Sequence, residues 1–126
     1  MLRSMILGLG VDACDCLRIR KVMERQGERF LSRVLTPDEW AYCRTSGHPW
    51  ENVAVRFAAK EACSKALGVP DGIRWHDVEV RHADRMPVLL LDGVALATAE
   101  RLGVRATHLA LSHERTMAVA VVVLEG

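Results

Sequence analysis

Residues 56–68 read R-F-A-A-K-E-A-C-S-K-A-L-G, a segment in which one acid, Glu61, stands among three bases, Arg56, Lys60 and Lys65. Two chemistries suit those side chains. The plain one is a solvated helix face on which Glu61 and Lys65 pair at i, i+4, worth about 0.2–0.5 kcal/mol. The other is an anion site. A diphosphate carries enough charge for several bases, and an acid among them suits a divalent cation bridging that diphosphate. Mg²⁺ commonly takes one or two protein carboxylates and completes its shell with water and phosphate oxygens. A second carboxylate is then wanted, and Asp12 is the candidate, because it follows the apolar, glycine-punctuated run M-I-L-G-L-G-V. Asp12 could equally cap the next helix.

Those residues need elements to position them. Residues 5–11 read as a buried strand whose glycines admit a close neighbour. Residues 15–26 read as a helix with Leu17, Val22 and Met23 inward, and 28–35 as a short one. T-P-D-E at 36–39 is a capping box opening a helix over 37–45. The main helix runs from about 51 to 67 and stops at Gly68. Taking Arg56 as zero at 100° per residue, Lys60 falls near about 40°, Glu61 about 140° and Lys65 about 180°. Val55, Ala58, Ala59, Ala62, Cys63 and Ala66 share the opposite half, which fits close packing on a sheet. Phe57 falls among the charges and needs its own neighbour, such as another subunit. Strands are predicted at 75–81, 87–91, 107–113 and 117–124, with a helix at 93–103. The order specifies an α+β fold with a mostly antiparallel sheet and a long central helix.

Bulk properties narrow the function classes. The chain has 126 residues, 50% hydrophobic, with a formal net charge of +1. One domain over 1–126 is expected, with residues 1–4 as an N-terminal extension ahead of Met5. The near-zero charge gives no bulk case for nucleic acid. No apolar run reaches the ~20 residues of a membrane span, and no signal-peptide pattern is present, so a cytoplasmic protein is expected, with Cys14, Cys16, Cys43 and Cys63 as reduced thiols. The spacing of C-D-C with Cys43 and His48 does not match the usual zinc forms. Cys63 reads as core filler, and His76, His82 and His108 as surface or core histidines.

Three segments, G-L-G-V-D (8–12), R-F-A-A-K-E-A-x-x-K-A-x-G (56–68) and L-S-H-E (111–114), resemble in order and spacing the acyl carrier protein synthase family, the short single-domain phosphopantetheinyl transferases. The likeness runs from about Met5 to Leu124. It implies Mg²⁺-dependent transfer of the 4′-phosphopantetheine arm of coenzyme A to a serine of apo acyl carrier protein, releasing adenosine 3′,5′-bisphosphate. It implies Asp12 and Glu61 as metal ligands and Lys65 at the phosphates. Arg56 and Lys60 would line the coenzyme A site, with His113 beside the coenzyme and Arg44 as the upstream arginine near it. It implies a homotrimer with active sites between subunits. For the catalytic set Asp12, Glu61 and Lys65, the serine proton would go to Glu61, directly or through a metal-bound water. Carrier proteins of this kind are acidic. Arg18 and Arg25, seven apart on one helix face, are expected to dock the partner, while Arg20 and Lys21 serve either docking or solubility.

The chain departs from the family pattern in two places. G-V-P-D-G-I-R-W after the central helix is shorter than the usual glycine- and threonine-rich turn, and Arg85-Met86-Pro87 keeps the usual proline without its glycine. Outside the transferase reading, the sequence admits a module that binds a nucleotide or coenzyme A without reacting it, or a structural oligomerising domain.

Overall fold

The computed structural model describes residues 3–126. In chain order it contains β1 (Ile6–Asp15), α1 (Cys16–Gln26), α2 (Glu28–Val34), α3 (Pro37–Arg44), α4 (Pro49–Ala66), a 3₁₀ turn (Trp75–Asp77), β2 (Val78–Ala83), β3 (Met86–Leu91), α5 (Gly93–Leu102), β4 (Ala106–His113) and β5 (Met117–Glu125). This is the expected α+β succession. Of the proposed extension, residues 1 and 2 lie outside the described residues. Met5 already exchanges both backbone hydrogen bonds with Gly126 (2.7 and 2.9 Å).

β5 is the centre of a three-stranded antiparallel sheet in the order β1-β5-β4. Its alternation is strict: Ala118, Ala120, Val122 and Leu124 are fully buried on one face. α4 lies across that face. The approach is closest at β1, where a Cβ on Gly8 would sit 2.1 Å from the Ala66 carbonyl oxygen and one on Gly10 1.9 Å from that of Ala62. Only glycine lets the strand backbone touch the helix backbone here. Ala58, Ala59, Ala62 and Cys63, all fully buried, form the helix side of the contact. Burial pushes the Cys63 thiol up to about 12, consistent with its expected role as core filler.

β2 and β3 form a separate antiparallel hairpin. Its two-residue loop, Asp84-Arg85, has both φ values positive (49° and 69°), the geometry for which glycine is usual. The loop after α4 also turns through left-handed backbone, at Gly68 (φ 83°) and, at greater steric cost for a β-branched residue, Val69 (φ 52°).

Three expectations change. β1 continues past Asp12 because its ladder with β5 holds register to Asp15 opposite Met117. The cap of α1 is therefore Asp15, whose Oδ1 accepts from the Leu17 and Arg18 amides (2.8 and 3.2 Å), and Asp12 keeps its carboxylate free of that duty. Leu17 faces outward at 48% exposure, while Ile19 and Cys16 turn inward instead. Residues 75–77 form a helical turn before β2 begins at Val78.

Candidate active site

α4 is covered on two sides. The sheet covers one, and α3, the 3₁₀ turn and β2 cover another, so Arg56 and Lys60 are buried (1% and 3% exposed) rather than displayed on an open charged face. Lys60 Nζ donates to Glu39 Oε1 (2.8 Å), the Trp75 carbonyl (3.0 Å) and the Val78 carbonyl. All three of its hydrogens are used inside the chain, so only its stem is left to line the coenzyme site expected of it. Glu39 completes the node. Its Oε1 also accepts from the Thr36 amide (2.9 Å), closing the expected capping box, and its Oε2 accepts from the Val80 amide (2.9 Å). Burial holds the Lys60 pKa below its ordinary value, against the raising pull of Glu39. Phe57 stacks on Trp75 (4.8 Å) and Phe30 (6.4 Å), so its neighbour is in the same chain.

Arg56 differs from Lys60. Its guanidinium lies over the Tyr42 ring at 4.5 Å, and Nη1 donates to the Asn52 carbonyl (3.2 Å). Among the described residues its buried Nε has no acceptor. The side chain opens on a surface hollow shared with Asp38, Tyr42, Arg81 and His82.

The remaining helix face carries Glu61 and Lys65, and there the chain brings its far segments together. Lys65 Nζ donates to Asp12 Oδ1 (3.0 Å) and to the Val11 carbonyl (3.1 Å). Asp12 is largely covered, with an 18% exposed side chain, while Lys65 is 48% exposed. Glu61 has its pKa raised, first by burial and then by the Asp12 charge, with Lys65 opposing. The two carboxylates therefore lie within each other's field, and one cation is shared between two anions. A hollow beside Glu61 is bounded by Ser64 of α4 and by Ile73, Arg74 and Trp75, with the stem of Lys60 in its wall. Among the described residues no cluster of three or more His, Cys, Asp or Glu is present, so two carboxylates are what this edge offers a cation.

Comparison with known proteins bears directly on this arrangement. Residues 8–121 match the 4′-phosphopantetheinyl transferase superfamily. A holo-[acyl-carrier-protein] synthase of Anaeromyxobacter sp. (strain K) is 48% identical over 97% of this chain and 98% of its own length. The chain belongs to the holo-[acyl-carrier-protein] synthase family. Solved structures of family members agree in fold. The enzyme from Plasmodium yoelii superposes with a TM-score of 0.84 at 29% identity, covering 99% of this chain and 98% of that one. The enzyme from Helicobacter pylori, in complex with coenzyme A, gives 0.80 at 30% identity over 92% and 98%. The chain is a phosphopantetheinyl transferase.

Within this holo-[acyl-carrier-protein] synthase fold, the three residues of the expected catalytic set meet at the β1 edge, and the other expected site residues lie elsewhere. His113 is near the end of β4, the opposite edge strand of the sheet, where Nδ1 lies 3.0 Å from Glu51 Oε1. Glu51 and Glu61 are ten positions apart in α4, about 15 Å along its axis at roughly 1.5 Å per residue. Arg44 is exposed in the last turn of α3. Arg18 and Arg25 are exposed on α1 without an ion pair among the described residues, whereas Arg20 pairs with Glu24 (3.4 Å) and covers the Trp50 ring (4.4 Å). Sequence reasoning did not single out Glu51. Its only signal was an acid in the first turn of a helix. Glu39 was read solely as a cap, and its second task in neutralising Lys60 left no trace in the local pattern.

Proposed function

We propose that the chain transfers the 4′-phosphopantetheine group of coenzyme A to a serine of apo acyl carrier protein with Mg²⁺, releasing adenosine 3′,5′-bisphosphate. The observation that carries this reading is the convergence of Asp12, Glu61 and Lys65 at one edge of the sheet. Two carboxylates facing one ammonium leave a net negative charge, and their hard oxygens are the donors Mg²⁺ prefers. The residues present thus fit the ion, with Asp12 and Glu61 holding it. Bound there, Mg²⁺ would supply charge neutralisation for the diphosphate and its leaving oxygen.

The chain's own groups do the rest. Lys65, released from Asp12, neutralises the non-bridging oxygens of the phosphate under attack. Glu61, whose proton affinity is already raised, takes the serine proton. Arg56 lines the coenzyme site with the donor it leaves unmatched, and Arg44 adds an exposed charge. Coenzyme A is the ligand in the Helicobacter pylori complex, and the same ligand is proposed here. Arg18 and Arg25 dock the acidic carrier protein.

The active form is a homotrimer with sites between subunits. The face of the sheet turned away from α4 exposes Leu9 (65%) and Val11 (56%), directly opposite Val123 and Val121 of β5. A second copy of the chain is the occupant that fits this apolar face, and it would carry the β4 edge of one subunit to the β1 edge of the next. No described helix is long and apolar enough to cross a membrane, and the site of action is the cytoplasm, as one folded domain. The deciding experiment mixes the protein with apo acyl carrier protein, coenzyme A and Mg²⁺ and measures intact mass. A gain of one phosphopantetheine is expected. No gain across several carrier proteins, with coenzyme binding intact, would leave a binding module instead.

A further inference from the structure

One apolar hollow lies outside the residues assigned so far. It sits in the angle between α2 and α3, with a volume of about 360 Å³, and its walls are Leu31, Leu35, Pro37 and Trp40. Glu28, Ser32, Thr36 and His76 form its rim. The rim spends most of its polar atoms on the chain itself. The Ser32 hydroxyl donates to the Glu28 carbonyl (2.6 Å), Thr36 Oγ1 accepts from the Glu39 amide (3.3 Å), and His76 Nε2 donates to the Ser32 carbonyl (2.8 Å). Glu28 alone brings a charge, at an exposed position. Such a lining gives a polar guest little to replace its lost water and favours an apolar one.

The hollow is joined to the reaction edge. Ile73, Arg74 and Trp75 stand in the wall of the hollow beside Glu61. The same three residues, with Arg33 and His76, line the next one, and His76 in turn is shared with the hollow between α2 and α3. The steps are short. Trp75, whose carbonyl takes a hydrogen from Lys60 next to Glu61, directly precedes His76. Coenzyme A has two arms leaving its diphosphate. The adenosine arm is anionic and suits Arg56 and Arg81 around their own hollow. The pantetheine arm is uncharged and suits this groove, where the Lys60 ammonium is already spent and the exposed Arg33 and Arg74 can offer their stems while their heads stay in water. Extended, that arm is about four residues' worth of backbone, roughly 14 Å, so its sulfur ends well beyond the phosphates.

We propose that the hollow between α2 and α3 is an acyl pocket, and that the chain uses short- and medium-chain acyl-coenzyme A thioesters as well as free coenzyme A. This rests on the reading, given under the proposed function, that the diphosphate is held at Asp12, Glu61 and Lys65. The chemistry at phosphorus is unchanged. The serine oxygen bonds to the β-phosphorus, the bond from that phosphorus to the bridging oxygen breaks, and adenosine 3′,5′-bisphosphate leaves with that oxygen. The serine proton passes to Glu61, and the thioester is carried through intact.

The test compares free, acetyl-, butyryl-, hexanoyl- and octanoyl-coenzyme A in the full-length enzyme with apo carrier protein and Mg²⁺, following intact mass and KM. The carrier protein gains the acylated arm, and each methylene that enters the hollow lowers KM about fourfold until the hollow is full. Ser32→Phe fills the hollow from its exposed rim. It raises KM for octanoyl-coenzyme A about tenfold or more and leaves KM for free coenzyme A within about twofold. Trp40→Gln, which makes the wall polar, shifts the same pair of constants in the same directions. Refusal of the acyl thioesters, a KM independent of acyl length, or octanoyl transfer that neither variant changes overturns the proposal, while transfer from free coenzyme A keeps the transferase reading intact. Failure of the parent to transfer from free coenzyme A sinks that reading and the acyl pocket with it.

Discussion

Lys60→Met separates a structural lysine from a coenzyme-binding one. The side chain is 1% exposed, so the substitution removes an ammonium from a closed, three-acceptor nest at little change in volume. It leaves the Glu39 carboxylate buried without its cation, and the carbonyls of Trp75 and Val78 without a donor. Breaking a buried ion pair by deleting one partner costs about 3–5 kcal/mol, most of it the penalty on the charge left behind. Burial already holds the Lys60 pKa down, which places the expected loss toward the low end of that range. For a chain of this size a loss of about 3 kcal/mol corresponds to a fall in melting temperature of roughly 10–15 °C. The assay is urea unfolding by circular dichroism at fixed protein concentration, since an oligomer's midpoint depends on it. Adding Glu39→Gln removes the orphaned charge and recovers part of the loss, a coupling of about 1–3 kcal/mol. Under conditions where Lys60→Met is fully folded, KM for coenzyme A stays within about threefold of the parent, because no Nζ hydrogen faces the ligand. A loss below about 1 kcal/mol together with a tenfold or greater rise in KM would refute the reasoning and return Lys60 to the coenzyme.

Glu61→Gln abolishes transfer and, in chelator, stabilises the fold at neutral pH. The raised pKa of Glu61 means that its contribution to stability is complete below the ordinary value of 4.5 and is lost as pH rises through the higher folded value, so the urea midpoints of variant and parent coincide in acid and diverge above. Gly10→Ala drives a methyl into the Ala62 carbonyl and costs about 2–4 kcal/mol, whereas Gly47→Ala, with open space around its Cβ, stays within about 0.5 kcal/mol in the same unfolding assay. Arg18→Ala with Arg25→Ala lowers kcat/KM for the carrier protein about tenfold, leaves KM for coenzyme A unchanged and flattens the salt dependence of the rate. Val11→Asp on the outer face of β1 lowers the sedimenting mass to that of a single chain and removes activity with it.

The sequence was most legible where one residue has one partner. The glycines of β1, the small face of α4 and the capping box at Thr36 follow local rules, and Asp12 was paired with Glu61 and Lys65 by reading two separate motifs together. Arg56 and Lys60 lie deeper than a helical wheel places them for a definite reason. A helical wheel assumes one apolar partner, but α4 has a sheet on one side and α3, the 3₁₀ turn and β2 on another, so part of its charged half is buried. Which acid neutralises Lys60 depends on Glu39 arriving from 21 residues away. The capping role of Asp15 rather than Asp12 depends on β1 keeping register with a strand from the other end of the chain. Glu51 was unreadable because its partner, His113, comes from β4.

The strand order β1-β5-β4 has a genetic corollary. With the carboxylates on one border and the imidazole on the other, each working centre in the proposed assembly draws its halves from two polypeptides. A cell expressing an Asp12 variant beside a His113 variant would then recover function, because mixed rings contain some centres in which both contributions are intact. The same arithmetic makes either lesion alone simply additive beside a healthy copy, since a faulty chain empties the one centre to which it brings its lesion and still completes its neighbour's.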